Sequence, residues 1–399
     1  MENKLIQFGA GNIGRSFIGQ LFARNGYEVV FIDIDDTVVE EMNRRHNYRL
    51  IIKRNETEDE TVLVENVRAV HGSKFEAVAS EISGAAYIGS SVGQTALPHI
   101  IPVIAKGLEK RRKDSEVMDC IDIIIAENIR NGAEFFREGL KTHLPAEFPL
   151  SEKVGFVETS IGKMVPIMRK EDREIDPIWV FAEEYNTLIV DRKGFTSSIP
   201  DLPGLKPVDN IKAYVDRKLF IHNLGHASAA YFGFRKDPET VFIHEVLEDA
   251  ETRAKVRSAM QEAAAALHRE YPRDLPMEEL EEHIDDLIRR FRNRALGDTV
   301  FRVGRDLQRK LGKDDRLVGA MITAEKHGTG YSSIAEAYNA ALLFRAGDEN
   351  GKMFPGDREF ADTIIPKGRG HIVEHVSGLS RRDPVEKRVM ETIQTVQNS

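Results

Sequence analysis

One cysteine, Cys120, is all that 399 residues carry. An intramolecular disulfide, a thiolate metal site and a C-x-x-C redox pair are thereby excluded, and a reducing, cytoplasmic location is expected. Long apolar runs are missing too. Nothing approaches the roughly 18 residues of a membrane span, and the opening MENKLIQFGAGNIGRSFIGQ has no basic n-region, apolar h-region or small-residue cleavage site. No membrane partner is expected. Positive charge is in deficit, 56 Lys and Arg against 65 Asp and Glu for a net charge of -9. That argues against broad nucleic-acid binding and leaves room for a local basic pocket around a small anion. Repeats and low-complexity segments are likewise absent. What remains is a chain long enough for about two domains, each able to bury a core.

The first 130 residues alternate β-rich runs with helical patterns, the rhythm of a parallel sheet. The apolar runs predict strands at Lys4–Phe8, Glu28–Asp33, Tyr48–Lys53, Thr61–Val70, Ala85–Ser90 and Ile121–Ala126. Helical spacing lies between them at Asn12–Asn25, Asp36–Arg45, Lys74–Glu81 and Thr95–Arg112. Two more apolar runs, Val154–Pro166 and Val180–Val190, precede a stretch holding Gly194, Pro200, Pro203, Gly204 and Pro207, where a domain boundary is expected. Helical patterns follow, among them Asp209–Phe232, Pro238–Arg269, Met277–Arg292 and Asp298–Lys310. The expected architecture is an α/β doubly wound, Rossmann-type sheet over residues 1–200 and a mostly α-helical domain over 201–399.

Gly9, Gly11 and Gly14 form G-x-G-x-x-G directly after the first strand. The first glycine permits a tight turn, the second lets backbone approach a pyrophosphate, and the third packs helix on strand, while the helix N-terminus offers free N–H groups. Asp33 closes the second strand 19 residues after Gly14, where a carboxylate binds ribose hydroxyls and repels a 2′-phosphate. Phe8 to Gly14 (Phe8, Gly9, Ala10, Gly11, Asn12, Ile13, Gly14) and Asp33 are therefore candidate NAD contacts. Val92, after the Ala85–Ser90 strand, and Asn128, after Ile121–Ala126, sit on loops at the carboxyl edge of the sheet, where ligands of open α/β folds bind. A glycine turn and a helix cap explain those two loops equally well.

In the second domain, Lys218, Asn223 and His226 fall within an arc of about 140° on an α-helix. An amine, an amide and an imidazole on one face suit alcohol oxidation: a desolvated Lys removes the hydroxyl proton, and Asn and His donate to the developing carbonyl oxygen. His222 shares the arc, so periodicity leaves the choice of histidine open, and a core helix with a snorkelling Lys fits as well. No thiolate or H-E-x-x-H acid accompanies the histidines, so no metal is expected.

The stretch R-K-L-F-x-x-N-x-G-H-A, with K-x4-N-x2-H spacing, resembles the signature of the polyol-specific long-chain dehydrogenase/reductase family. The likeness extends to F-G-A-G-N-I-G-R (Phe8 to Arg15), Val154-Gly155-Phe156, Val165-Pro166, Val190-Asp191, Asp209-Asn210 and Phe291 through Arg316. It implies a metal-independent NAD enzyme with Lys218 as general base and Asn223 and His226 polarising the substrate oxygen. The implied reaction is oxidation of mannitol 1-phosphate to fructose 6-phosphate, with free mannitol or a hexuronate as alternative substrates. From a different class, a non-catalytic NAD-sensing protein is the remaining alternative. The chain departs from the family pattern S-x-V-D-R-I-V-P, reading Ser160-Ile-Gly-Lys-Met-Val-Pro166, so Gly162 and Lys163 replace an Asp-Arg pair.

For the anionic end of a sugar or polyol phosphate, Arg302, Arg305 and Arg309 recur at i, i+3, i+7. A continuous helix would align three guanidinium groups there. Arg302, Arg305 and Lys163 are the substrate-binding candidates; a solvated face balanced by Asp298, Asp306, Asp314 and Asp315 is the plain alternative.

Overall fold

Short β-branched runs with apolar residues on both faces must be covered on both sides, and the first unit is built around that requirement. The computed structural model describes residues 3–115, 118–166, 168 and 170–396. Two units result, Met1–Ile211 and Lys212–Ser399. Strands β1 (Lys4–Phe8), β2 (Glu28–Asp33), β3 (Asn47–Ile52), β4 (Glu60–Glu65), β5 (Val67–His71), β6 (Tyr87–Ser90), β7 (Ile121–Ile125), β8 (Val154–Ser160), β9 (Val180–Ala182), β10 (Leu188–Asp191) and β11 (Leu205–Val208) belong to the first. Eight form one sheet in the order β11-β10-β8-β7-β6-β1-β2-β5. From β5 to β8 all neighbours run parallel, and β10 turns antiparallel against β8.

The pleat divides the core between the faces. Leu5, Val29 and Phe31 join Phe17, Leu21 and Met42 in one cluster. Ile6, Phe8, Val30 and Ile32 join Val78, Ile82, Leu97 and Ile104 in the other. The expected doubly wound sheet is present. Two predicted strands are each divided in two. Thr61–Val70 breaks at Asn66, whose φ of 61° turns the chain from β4, paired antiparallel with β3, into β5 beside β2. Val180–Val190 breaks at Glu183–Asn186, so that β9 joins β3 and β4 in a separate three-stranded sheet while β10 joins the large one. β11, hidden in the sequence by Pro207, lies at the sheet edge, where a missing N–H is tolerated.

The second unit is mostly helical, as expected. Its long helix Ala250–Glu270 packs on Leu224–Lys236, Met277–Phe291, Val318–His327 and Ser332–Ala341. Close approach requires small residues: a Cβ at Gly225 would stand 2.5 Å from Met260 Sδ, and one at Gly233 would strike Val246. Pro238–Arg269 is not one helix, because Asp249 caps Ala250–Glu270 by accepting from Thr252 N–H at 2.8 Å. Nor is Asp298–Lys310. Val300–Gly304 ends at Arg305, Asp306 adopts φ 73°, and Leu307–Lys310 forms a separate turn. The Asp357 carboxylate accepts from Asp306 and Leu307 N–H, and the buried Lys310 amine donates to Val303 O at 2.6 Å, so this break is built in. Among the described residues no helix is long and apolar enough to cross a membrane.

Candidate active site

Strand order reverses around β1, with β2 on one side and β6 on the other, so a crevice opens between the loops that leave β1 and β6. Gly9 and Gly14 stand where no side chain fits. Gly9 has φ 88°, and a Cβ on it would stand 2.6 Å from Ser91 O. A Cβ on Gly14 would collide with Gly9 O, so the helix can approach the strand only with glycine at this position. Gly11 is exposed, with nothing within 4 Å of its Cβ position, which is the space an approaching pyrophosphate needs. The helix opens with a π turn over Gly14–Gly19 before continuing to Ala23.

Asp33 is anchored to this loop. Its Oδ2 accepts from Ala10 N–H at 2.6 Å, and its Oδ1 accepts from Ile34 and Asp35 N–H at 2.7 and 3.1 Å. With three donors met, the carboxylate keeps acceptor capacity on Oδ2 for a ribose hydroxyl. Of the two flanking loops, Val92 is partly buried and Asn128 is exposed. The residue that joins those loops is Glu127, which accepts from Ser90 Oγ at 2.6 Å, Val92 N–H at 2.8 Å and Gly93 N–H at 3.0 Å. It holds the β6 loop against the β7 loop. Sequence spacing located the loop at Asn128 without revealing that the neighbouring glutamate is the tie.

Lys163 is buried in the same unit. Its amine donates to Asn186 Oδ1 at 3.0 Å and sits 5.3 Å from the centre of the Phe17 ring, while Gln20 donates to the same Asn186 oxygen. Lys163 thus braces the fingerprint helix through Asn186. The two acids nearest the departure from the family pattern are also engaged. Glu158 caps Gly132–Lys141 through Ala133 N–H, and Glu183 accepts from Met164 N–H.

In the second unit, Ile211–Arg217, Lys218–Asn223 and Leu224–Lys236 follow one another as helix, π turn and helix. The π turn covers Lys218–Asn223, so residues five apart lie one turn above each other. Lys218 and Asn223, about 140° apart on an α-helix, are turned closer to one face by it. Lys218 is partly buried, and burial pushes its amine down to about 8, helped by the like charge of Arg316. Arg316 is held by Asp315 at 2.8 Å and donates to the backbone oxygen of Asn223 at 3.3 Å. His226 stacks on Phe291 with ring centres 4.7 Å apart and planes 7° from parallel, and its Nε2 lies 3.1 Å from Asp298 Oδ2. His222 is buried against Phe291, and desolvation holds its ring neutral, well below the usual histidine range. The two histidines that periodicity left equivalent therefore differ: one is sealed in the core, the other is partly open and paired with a carboxylate.

Arg302, Arg305 and Arg309 are not aligned on one helix face, because the break at Arg305–Asp306 separates them. Arg302 is ion-paired with Asp298, Arg305 is exposed and lies over Phe301 and Phe354, and Arg309 turns to Asp306 and Asp315. The Asp298 link between Arg302 and His226 was invisible in the sequence, where Asp298 read as one of four balancing charges.

A fingerprint crevice on a doubly wound sheet and a lysine-bearing π turn in a helical unit define the class, a two-domain dehydrogenase. The chain belongs to the mannitol dehydrogenase family: the mannitol dehydrogenase Rossmann domain matches residues 3–204 and the mannitol dehydrogenase C-terminal domain residues 210–381. The resemblance read from the motif helix is borne out at the level of the family. Among solved structures, a D-sorbitol dehydrogenase in substrate-free form is 15% identical with a TM-score of 0.77, over 98% of this chain and 91% of that one. The Pseudomonas fluorescens mannitol 2-dehydrogenase, solved as a ternary complex with NAD and D-mannitol, is 16% identical with a TM-score of 0.68, over 99% and 95%. At these identities the likeness is one of fold.

Proposed function

We propose that this protein is an NAD-dependent dehydrogenase of a phosphorylated hexitol, a mannitol-1-phosphate 5-dehydrogenase that interconverts mannitol 1-phosphate and fructose 6-phosphate. The observation that carries the reading is Lys218, an amine brought down to about 8 on a π turn it shares with Asn223. The fingerprint fits NAD: the space over Gly11 admits a pyrophosphate, and Oδ2 of the fixed Asp33 carboxylate suits a ribose hydroxyl. Phe8, Asn12, Ile13, Val92 and Asn128 are the further proposed contacts. When bound, the nicotinamide supplies the hydride acceptor. The chain's own part is proton and charge management. Lys218 takes the proton of the substrate hydroxyl in oxidation and returns it in reduction, while Asn223 and His226 donate to the oxygen as charge builds on it.

Arg305 and the edge of Arg302 not committed to Asp298 are the proposed donors to the phosphate. A second reading, oxidation of a free polyol, is favoured by that same commitment, since an Arg302 already paired with a carboxylate presents less positive charge. The relatives named mannitol 2-dehydrogenase and D-sorbitol dehydrogenase point the same way. Spectrophotometric NADH formation across mannitol 1-phosphate, mannitol, sorbitol 6-phosphate, altronate and mannonate separates the two. Preference for mannitol 1-phosphate is expected, and equal efficiency on free mannitol would remove the phosphate assignment. Lys218→Ala should abolish turnover while leaving NADH binding nearly unchanged.

A further inference from the structure

Arg316 lies two residues ahead of the helix Val318–His327, and its side chain is 12% exposed. That helix starts hard against the π turn: a Cβ on Gly319 would stand 2.7 Å from the Phe220 ring, so the approach depends on glycine there. The guanidinium is held on two sides. Nε donates to Asp315 Oδ1 at 2.8 Å, and Nη1 donates at 3.3 Å to the backbone oxygen of Asn223, the last residue of the π turn. Asp315 is fixed through its other oxygen, where Arg309 Nη1 donates to Oδ2 at 3.0 Å, and its backbone oxygen accepts from Gly319 N–H at 2.9 Å. Burial opposes the charge of Asp315, and Arg316 and Arg309 outweigh it, holding the carboxyl below its ordinary range. An ion-pair chain of Arg309, Asp315 and Arg316 thus ends on the carbonyl of a residue proposed to meet the substrate.

Resting on the reading of Lys218 and Asn223 as groups that meet the substrate oxygen, we propose that Arg316 is a positioning residue, which fixes the end of the π turn so that Lys218 and Asn223 keep their register. A π turn is rare beside the α turns that flank it, so its register needs a hold from outside the local sequence. A planar fork supplies one, with one edge on a fixed carboxylate and the other on Asn223 O, and a lysine ammonium cannot reproduce that geometry. The same placement sets a permanent positive charge beside the turn. Leu224–Lys236, Ala250–Glu270 and Met277–Phe291 all pack on it. His226 from the first of these helices and His283 and Arg290 from the third bear on His222, the buried residues of the second are uncharged, and Arg316 is a like charge that bears on Lys218. That charge disfavours the protonated amine, the direction a base requires.

Oxidation of mannitol 1-phosphate and of mannitol by the full chain is followed as NADH formation across about pH 6 to 10. Arg316→Met should lower the plateau kcat about 10-fold and move the midpoint of the profile upward by about 0.5–1, because protonated Lys218 loses a repelling neighbour. Arg316→Lys keeps the charge without the fork, so its midpoint should match the wild type while its plateau still falls. A residue that only stabilises the fold would lower the urea midpoint and leave both features of the profile as they are. A wild-type plateau or a wild-type midpoint in Arg316→Met would overturn the proposal, and where that variant does not fold, an undiminished plateau in Arg316→Lys would do the same. A second arm needs no turnover. The rise in urea midpoint that Lys218→Met brings near neutral pH should be smaller in the Arg316→Met background than in the wild type, and equal rises would count as refutation. If the wild type oxidises none of the polyols, the functional reading fails while this arm still decides whether Arg316 acts on Lys218.

Discussion

Exchanging Lys218 for methionine, which keeps a four-atom apolar stem and removes the amine, isolates the cost of holding that amine in the second unit. Burial and Arg316 bring the group from its ordinary 10.5 to about 8. Each pKa unit corresponds to about 1.4 kcal/mol, so the penalty on the protonated amine is at most about 3 kcal/mol. Because the folded chain binds this proton less tightly than the unfolded chain, the unfolded state carries more protons between about 8 and 10.5, and stability rises with pH across that window. The penalty is fully present below about 8 and gone above 10.5. Lys218→Met should therefore unfold at higher urea than the wild type near neutral pH, and the two curves should converge as pH approaches 10.5. If the same group takes the substrate proton as proposed, wild-type polyol oxidation should climb with pH and level off above about 8. An offset in stability that stays constant with pH would assign the effect to packing. Equal stability at neutral pH would refute the desolvation argument and with it the poised base.

The glycines separate fold from binding. Gly11→Ala adds a methyl group to open space and should leave Tm unchanged while NADH affinity, read by fluorescence titration, falls; Gly14→Ala meets Gly9 O and should destabilise by about 1–3 kcal/mol in urea melts. Asp33→Ala should weaken NADH binding and relax discrimination against NADPH, and unchanged discrimination would count against the ribose assignment. Glu127→Gln keeps the shape and one acceptor where the carboxylate now serves three donors, so KM for NAD should rise several-fold while Tm moves little. Arg305→Ala should raise KM for mannitol 1-phosphate and leave that for free mannitol alone; parallel changes for both would place Arg305 outside the phosphate site.

Local signals were read accurately wherever the chemistry is local. The limits of β1, β2 and Asp36–Arg45 coincide with the runs that predicted them, because apolar period, a terminal Gly or Asn and an Asp cap lie within a few residues of each other. Two predictions failed where one residue with positive φ interrupts a continuous pattern. Asn66 divides a β run and Asp306 divides a helix, and hydropathy carries no record of either. The Arg302, Arg305 and Arg309 face failed for that reason. Its members are spaced correctly for a helix that Asp357 and Lys310 do not allow to continue.

What the sequence determined by itself is the set of parts: a G-x-G-x-x-G turn with an acid at the end of the next strand, a helical second half, and a helix carrying lysine, asparagine and two histidines. These follow from composition and period, which act over one or two turns of chain. Tertiary structure decided what the parts can do. Only packing distinguishes His222, sealed against Phe291, from His226, paired with an aspartate 72 residues away. Packing also enclosed Lys218 enough to bring its amine to about 8. Burial and charge pairing depend on residues distant in sequence, so a pattern of spacings can nominate a base or a donor, and the fold sets its protonation state.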